Sequence, residues 1–209
     1  MAHAYPLMLD VTDRLVVIVG GGAVAVRKVK GLLEAGATRV RIVSPAFHDE
    51  MPDAPGVERV HGTFEPGHLD GASLVFAVTS LAKVNERVTD EAKARGIWVN
   101  RSDEGDEGDF STPARVREGE ITVTVAAGSA ALSAAIRDDL AAKLDRRHVK
   151  LADAMKTLRP AVRNTVADPE VRAAVFRDLA SAEAMEVVDA RGVEGLFDWI
   201  RSRHPSMKS

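Results

Sequence analysis

Cysteine is absent from the 209-residue sequence, and this absence excludes several kinds of chemistry. Without thiols the chain cannot form disulfides, supply a thiol nucleophile, or hold zinc or an iron–sulfur cluster through sulfur. The six histidines form no His-x-x-x-His pair, so we predict no metal site in the protein. The lack of cysteine also fits a reducing cytoplasm, which is the location we expect.

The sequence also lacks a basic excess and any long apolar run. Its formal net charge is -3, whereas a general nucleic-acid binder carries a basic excess, so we expect no nucleic-acid partner. The longest apolar run covers the twelve residues 15–26. A membrane span needs roughly 20 residues, so we expect no membrane insertion. Residues 1–10 have no basic segment before an apolar one, which argues against a secretory signal.

Short apolar strands alternate with helical patterns through the first half of the chain. Leu15–Val19 is a β-branched run that stops at three glycines, as a strand buried on both faces would. A helical pattern from Val24 to Gly36 follows it. The pattern predicts further strands at residues 40–43, 57–60, 74–78 and 97–99, and a helix at residues 85–95. This succession predicts an α/β fold with a doubly wound parallel sheet.

The alternation stops at residues 102–109, which are rich in glycine and acidic side chains. A turn at Pro113 and a strand at residues 121–125 come next. The following helix has apolar residues at every fourth position, namely Leu132, Ile136, Leu140 and Leu144. From His148 onward the pattern predicts helices alone. We therefore divide the chain into residues 1–112, 113–147 and 148–209.

The glycines after the first strand fit the Gly-x-Gly-x-x-Ala turn of dinucleotide-binding folds, through Gly20, Gly22 and Ala25. The second glycine lets backbone N–H groups approach a pyrophosphate, which then lies at the helix N-terminus. The alternative is a tight turn that binds no ligand. The second strand ends without the carboxylate that usually binds the adenosine ribose, which leaves Ser44 for the ribose or Arg41 for a 2′-phosphate. The residues alone therefore leave NAD and NADP open.

Five motifs follow one another along residues 5–145. They are Val19-Gly20-Gly21-Gly22, Ala25-Val26-Arg27-Lys28, Glu34-Ala35-Gly36-Ala37, Val99-Asn100-Arg101-Ser102-Asp103 and Ile136-Arg137-Asp138-Asp139-Leu140. In this order they resemble the siroheme synthase family. The likeness is to its stand-alone members, which are precorrin-2 dehydrogenases and often also sirohydrochlorin ferrochelatases.

The resemblance implies a Rossmann-like domain, then a small α+β dimerisation region and a C-terminal helical domain, usually in a homodimer. It implies NAD-dependent oxidation of precorrin-2 to sirohydrochlorin, followed in many members by Fe²⁺ insertion to give siroheme. It also implies that NAD is bound by Gly22, Ala23, Val24, Ser44 and Pro45. To this cofactor site we add Gly20 of the glycine turn and the residues Thr79, Ser80 and Asn100 at the carboxyl ends of the fourth and fifth strands, where ligands of such folds bind. The tetrapyrrole would be bound by Gly128, Ser129 and Arg137.

Asp103 matches the aspartate that is regarded as catalytic in the family, just after the Asn at the end of the fifth strand. Dehydrogenation sends a hydride to the nicotinamide, and a proton must also leave the macrocycle. A carboxylate in a cleft can accept that proton. The alternative is that Asp103 belongs to a solvated acidic loop, since charged runs usually lie on the surface.

The chain departs from the family pattern at residues 126–133, where alanines replace the usual hydroxyl residues and a proline is missing. The resemblance therefore supports NAD binding more strongly than iron insertion. Residues 137–163 carry eight Lys or Arg against four Asp, which would suit a polyanionic tetrapyrrole. The same stretch is equally typical of a solvated helix face.

Two other functions remain open from the sequence. A non-catalytic NAD-binding regulatory module would need the glycine turn but neither residues 100–103 nor the basic stretch. Another kind of Rossmann dehydrogenase would need a Tyr-x-x-x-Lys motif or a His–Asp pair, and Tyr5 has no lysine four residues later.

Overall fold

The computed structural model describes residues 5–103 and 105–208. The chain forms two compact units, residues 1–112 and 113–209. The first unit has the glycine turn and the acidic segment, and the second contains the later helices. The further division at residues 147 and 148 stays a prediction.

The first unit is built on a five-stranded parallel sheet. Its strands are β1 (Leu15–Val19), β2 (Arg39–Ser44), β3 (Val57–His61), β4 (Ala72–Ala77) and β5 (Trp98–Arg101). They lie in the order β3-β2-β1-β4-β5, with Val17 level with Arg41 on one side and Val75 on the other. The predicted doubly wound parallel sheet is confirmed.

Helices α1 (Ala23–Glu34) and α2 (Ala82–Ala94) belong to this unit. Alternate residues of β1 point to opposite faces, so Val16 and Ile18 join one core cluster and Val17 joins the other. The first cluster includes apolar residues of α1 and the second those of α2. Burial on both faces explains why β1 has no polar position. Helix α2 begins three residues before the predicted start at Asn85, which places that side chain inside the helix.

The second unit begins with an antiparallel hairpin of β6 (Ala114–Glu118) and β7 (Ile121–Val125). The sequence predicted only β7. The remaining elements are helices α3 (Ala130–Ala142), α4 (Arg146–Thr165), α5 (Pro169–Leu179) and α6 (Ala182–Arg203). A Ser or Asp side chain caps the N-terminus of each, namely Ser129, Asp145, Asp168 and Ser181.

Helices α4, α5 and α6 share one apolar core. Its buried residues include Leu158, Val162, Leu179, Leu196 and Ile200. The prediction of an all-helical C-terminal part is therefore correct. In the described ranges, no helix is both long and apolar enough to cross a bilayer.

Candidate functional site

The predicted cofactor residues and Asp103 lie at one edge of the parallel sheet, where its strands end. Gly20 follows β1, Thr79 lies just beyond β4, and Asp103 lies just beyond β5. The strand order reverses its direction between β1 and β4, and ligands of such sheets bind at the carboxyl ends beside that point. The fold therefore gathers these residues at the place where a ligand is expected.

The glycine turn brings the backbone closer to its neighbours than side chains would allow. Gly20 has a φ of 125°, and a Cβ there would lie 2.8 Å from the Val78 carbonyl oxygen. A Cβ on Gly21 would lie 2.0 Å from the carbonyl oxygen of Ala46. Both glycines therefore serve the close packing of the turn against the ends of β2 and β4.

Gly22 differs from its two neighbours because a Cβ there would meet nothing within 4 Å. It is the N-cap residue of α1, and no side chain caps that helix end. The first N–H groups of a helix have no partner inside the helix, and they carry partial positive charge. An open space in front of unoccupied donors fits a phosphate, so the turn suits a dinucleotide.

The end of β2 presents Ser44 and Pro45 beside this turn. The Ser44 hydroxyl donates a hydrogen bond to the Ala46 carbonyl at 2.7 Å, and the residue is only 7% exposed. Arg41 is engaged elsewhere, since its guanidinium donates to Glu58 at 2.7 Å and to the His68 carbonyl at 3.0 Å. The geometry thus does not favour Arg41 for a 2′-phosphate. The Ser44 hydroxyl already donates its hydrogen to Ala46, so it could meet a ribose only as an acceptor.

Asn85 holds the loop after β4 and is completely buried. Its amide oxygen accepts hydrogen bonds from the Thr79 backbone N–H at 3.0 Å and from the Thr79 hydroxyl at 2.7 Å. Its amide nitrogen donates to the Thr79 carbonyl at 3.0 Å. The side chain of Thr79 is therefore committed to the loop, while Ser80 is exposed beside it.

Asn100 lies near the end of β5 with one side-chain atom unpaired. Its amide nitrogen donates to the Phe110 carbonyl at 2.8 Å, which fixes the orientation of the amide. The amide oxygen is then a buried acceptor with no partner. Such an atom is costly to leave unsatisfied, so it fits a site that a ligand donor completes.

Asp103 is 30% exposed at its side chain and pairs with Arg101, whose side chain is only 5% exposed. Nε of Arg101 lies 3.1 Å from Oδ1 of Asp103. Partial burial raises the pKa of Asp103, but hydrogen bonds from Arg101 and Asn85 outweigh it and hold that pKa below its usual value. Asp103 is therefore an ionised, partly accessible carboxylate.

The acidic segment around Asp103 is not uniformly solvated. Asp109 covers the open edge of β5, because its carboxylate accepts the Val99 N–H at 2.9 Å and its own N–H donates to the Val99 carbonyl at 2.8 Å. Glu107 pairs with Arg101. Glu104 lies outside the described residues. Glu107 and Asp109 are thus exposed residues of an acidic loop that nevertheless make specific contacts with β5.

The predicted tetrapyrrole residues belong to the second unit. Gly128 and Ser129 precede α3, and the Ser129 hydroxyl caps that helix by accepting the Leu132 N–H at 3.1 Å. Arg137 lies on α3 and pairs with Asp138 at 2.6 Å. Much of the basic stretch is likewise balanced by carboxylates, in the pairs Lys143–Asp139, Arg147–Asp145, Lys150–Asp189 and Lys156–Glu120.

No cluster of three or more His, Asp or Glu side chains is placed to hold a metal ion among residues 5–103 and 105–208. Several histidines instead serve local structure. Nδ1 of His48 accepts the Glu50 N–H at 3.1 Å, and Nδ1 of His68 accepts the Glu65 N–H at 3.0 Å.

Comparison with known proteins agrees with this geometry. Residues 7–114, more than half of the chain, match a family described as putative NAD(P)-binding. The chain belongs to this NAD(P)-binding family. The predicted nicotinamide cofactor is therefore confirmed at the level of the family, and the matched residues coincide with the sheet that has the glycine turn.

The relatives of this NAD(P)-binding chain include siroheme synthases. That of Chromobacterium violaceum is 33% identical over 173 residues, which are 80% of this chain and 37% of the relative. That of Nitrosomonas europaea is 30% identical, over 93% of this chain and 42% of the relative. The chain thus spans about two fifths of the length of these relatives. The resemblance seen in the motifs is confirmed.

The fold is also similar to a solved structure of SirC, a precorrin-2 dehydrogenase. The TM-score is 0.78 at 19% identity, and the match covers 95% of this chain and 100% of that one. At this identity the likeness establishes the fold.

Two residues of the site were not assigned roles from the sequence. Asn85 is the first residue of the predicted helix at 85–95, and Arg101 stands in the motif Val99–Asp103. The contacts Asn85–Thr79 and Arg101–Asp103 are short in sequence, whereas the hydrogen bond from Asn85 to Asp103 requires α2 to pack beside the end of β5. The available signal was their polarity at positions where the pattern predicts burial, next to Val88 on α2 and Val99 on β5.

Proposed function

We propose that this chain is an NAD-dependent dehydrogenase that oxidises precorrin-2 to sirohydrochlorin. The observation that carries the proposal is an ionised, partly accessible Asp103 on the same sheet edge as an open glycine turn. The names of the relatives, siroheme synthase and precorrin-2 dehydrogenase, support this choice of substrate. A module that only sensed NAD would need the turn but no accessible carboxylate.

Several residues would hold the cofactor. The N–H groups of Ala23 and Val24 at the uncapped start of α1 would bind the pyrophosphate, and the open space at Gly22 admits it. Ser44 would face the ribose. The unpaired amide oxygen of Asn100 would accept a hydrogen bond from a donor such as the carboxamide N–H of the nicotinamide. When bound, NAD supplies the hydride acceptor of the reaction.

Asp103 would accept the proton that accompanies the hydride. Oxidation of precorrin-2 removes a hydride, which carries the electron pair, and a proton. The carboxylate of Asp103 is ionised and partly exposed, so it can take the proton and release it to water. Because its pKa is lowered, it is a weak base that also stabilises positive charge left on the macrocycle.

The substrate is a polycarboxylate, and basic groups would bind it. We propose Arg137 for this role, together with the backbone at Gly128 and Ser129 before α3. The guanidinium of Arg137 pairs with an exposed Asp138, whose side chain is 68% exposed. Such a surface pair is weak, so a substrate carboxylate can displace it.

The direct experiment incubates the protein with precorrin-2 and NAD and records absorbance spectra. We expect the spectrum of sirohydrochlorin to appear together with NADH, and Asp103→Asn to slow turnover by about 10²-fold or more. Asp90→Asn, at an exposed position of α2, is the matched control and should behave as the wild type. A folded protein that binds NAD but leaves precorrin-2 unchanged would favour the regulatory module instead.

Iron insertion is a separate readout of the same assay, in which Fe²⁺ is a second substrate. Adding Fe²⁺ after the oxidation should produce the siroheme spectrum if Asp103 also relays the pyrrole protons. Sirohydrochlorin that persists with Fe²⁺ present would assign the chelatase step to another protein. With NAD as the oxidant, we place the reaction in the cytoplasm.

We also propose that the protein is a homodimer formed through α3. Leu132, Ile136 and Leu140 recur every fourth residue on this helix and are 51%, 38% and 42% exposed. An apolar stripe of this kind is typical of an interface. Ile136→Glu should halve the mass measured by sedimentation, whereas Leu7→Glu, at another exposed apolar position, should not. A monomeric wild type would contradict this part of the proposal.

A further inference from the structure

Arg101 is a buried arginine at the end of an edge strand. It is the last residue of β5, and its side chain is only 5% exposed. Arginine is rarely buried unless its charge is paired, because desolvation of the guanidinium is costly. Here the carboxylates of Asp103 and Glu107 both pair with it.

The guanidinium reaches both oxygens of Asp103. Its Nε lies 3.1 Å from Oδ1, and its Nη2 lies 3.4 Å from Oδ2. The planar fork of arginine matches the carboxylate plane, so it restrains rotation of the carboxyl group. The intervening Ser102 is tied to β4, because its N–H and its hydroxyl both donate to the Ala77 carbonyl at 3.2 Å. The segment that leads into Asp103 is therefore anchored to β4 immediately before the carboxylate.

We propose that Arg101 is a positioning residue that holds Asp103 as an oriented, ionised carboxylate. The proposal rests on the proposed dehydrogenase function only for its catalytic consequence. The groups that face Asp103 in the described part of the chain are Arg101 from β5 and the neutral Asn85 from α2, with Glu107 beyond the guanidinium. Arg101 is thus a cation that faces Asp103 directly.

Asp103 needs a neighbouring cation because other negative charges come close to it. Negative charge from Glu107 and from a polycarboxylate substrate would favour the protonated form of Asp103. A protonated Asp103 could neither accept a proton nor stabilise positive charge on the macrocycle. Arg101 keeps its charge at every relevant pH, so it holds Asp103 ionised when the substrate arrives.

The primary test is a carboxyl-carbon NMR titration of Asp103 without cofactor or substrate, with the signal assigned by its loss in Asp103→Asn. Arg101→Gln should raise the titration midpoint by about one pH unit. Arg95→Gln is the matched control, since it removes another ion-paired arginine at the far end of α2 and should not move the midpoint. Glu107→Gln should leave the midpoint unchanged or lower it. A folded Arg101→Gln protein with an unchanged midpoint would overturn the proposal.

Arg101→Lys keeps the positive charge but loses the planar pair of guanidinium donors. It therefore separates the effect of Arg101 on the ionisation of Asp103 from its effect on the orientation of that carboxylate. We expect its midpoint to stay near the wild-type value while kcat falls by about tenfold, with a smaller change in KM. Wild-type kcat in this variant would refute the orienting role. If Arg101→Gln does not fold, Arg101→Met, which keeps an unbranched stem without the charge, replaces it in the titration, and an unchanged midpoint in that folded variant would equally overturn the proposal.

The pH profile of kcat/KM links the two readouts. Its acidic limb should move upward in Arg101→Gln by the same amount as the NMR midpoint, whereas a merely structural pair would lower activity equally at all pH values. An inactive wild type with the expected NMR shift would refute the dehydrogenase function and leave the positioning role standing. An active wild type whose acidic limb does not move in Arg101→Gln would refute the positioning role and leave the dehydrogenase function standing.

Discussion

Alanine substitutions at two adjacent glycines should separate folding from cofactor binding. At Gly21, the new Cβ would lie 2.0 Å from the backbone oxygen of Ala46, where an ordinary contact begins at 3.4 Å. A backbone atom cannot swing aside, so the turn or the end of β2 must move. Overpacking of this kind costs about 1–3 kcal/mol, which corresponds to a fall in Tm of roughly 2–12 °C in a chain of this size.

Gly22→Ala should leave the stability of the protein almost unchanged and weaken the binding of the cofactor instead. Its Cβ meets nothing within 4 Å, and the φ of -83° suits alanine, so the change in stability should stay below about 1 kcal/mol. The methyl group would nevertheless stand before the N–H groups of α1, where the pyrophosphate approaches. We expect NADH to bind at least about tenfold more weakly, a loss of roughly 1.4 kcal/mol.

Thermal unfolding and titration with NADH, both on each variant, measure these effects. The reasoning about the turn would be refuted if Gly22→Ala bound NADH as the wild type does. It would also be refuted if Gly22→Ala unfolded at as low a temperature as Gly21→Ala, because the space in front of Gly22 would then not be open.

Three further predictions concern stability. Ser181→Ala removes the N-terminal cap of α6 and should lower the unfolding free energy by about 1 kcal/mol in urea titrations, whereas an unchanged value would contradict the capping role. Hydrogen bonds from the Arg147 side chain and backbone lower the pKa of Asp145 from 3.8 to about 2. The resulting stabilisation is present above pH 3.8 and is lost as the pH falls through about 2, so Asp145→Asn should flatten the pH dependence of stability in this window. Asp109→Ala should accelerate amide exchange at Val99, and unchanged exchange there would show that Asp109 does not cover the strand edge.

The sheet and the glycine turn were predictable because their signals are local. Leu15–Val19 has no polar position since both of its faces are buried, and Gly20 follows it because the turn requires a positive φ. Strand β6 was missed for the converse reason. Ala114–Glu118 has a single β-branched residue, Val116, among three charged ones, which is a weak strand signal, and its pairing with β7 makes it a strand.

The sequence by itself determined the fold class, the cofactor class and the candidacy of Asp103, because periodicity, glycine spacing and motif order are properties of neighbouring residues. Only the tertiary structure decided the state of that carboxylate. Arg101 lies only two residues before Asp103, so this pairing is local, but the burial of the guanidinium depends on the packed end of β5. Asn85 reaches Asp103 from α2, a contact that no local pattern encodes. Charge interactions act through space, so the structure shows what composition does not, namely that Asp103 is held by hydrogen bonds that lower its pKa.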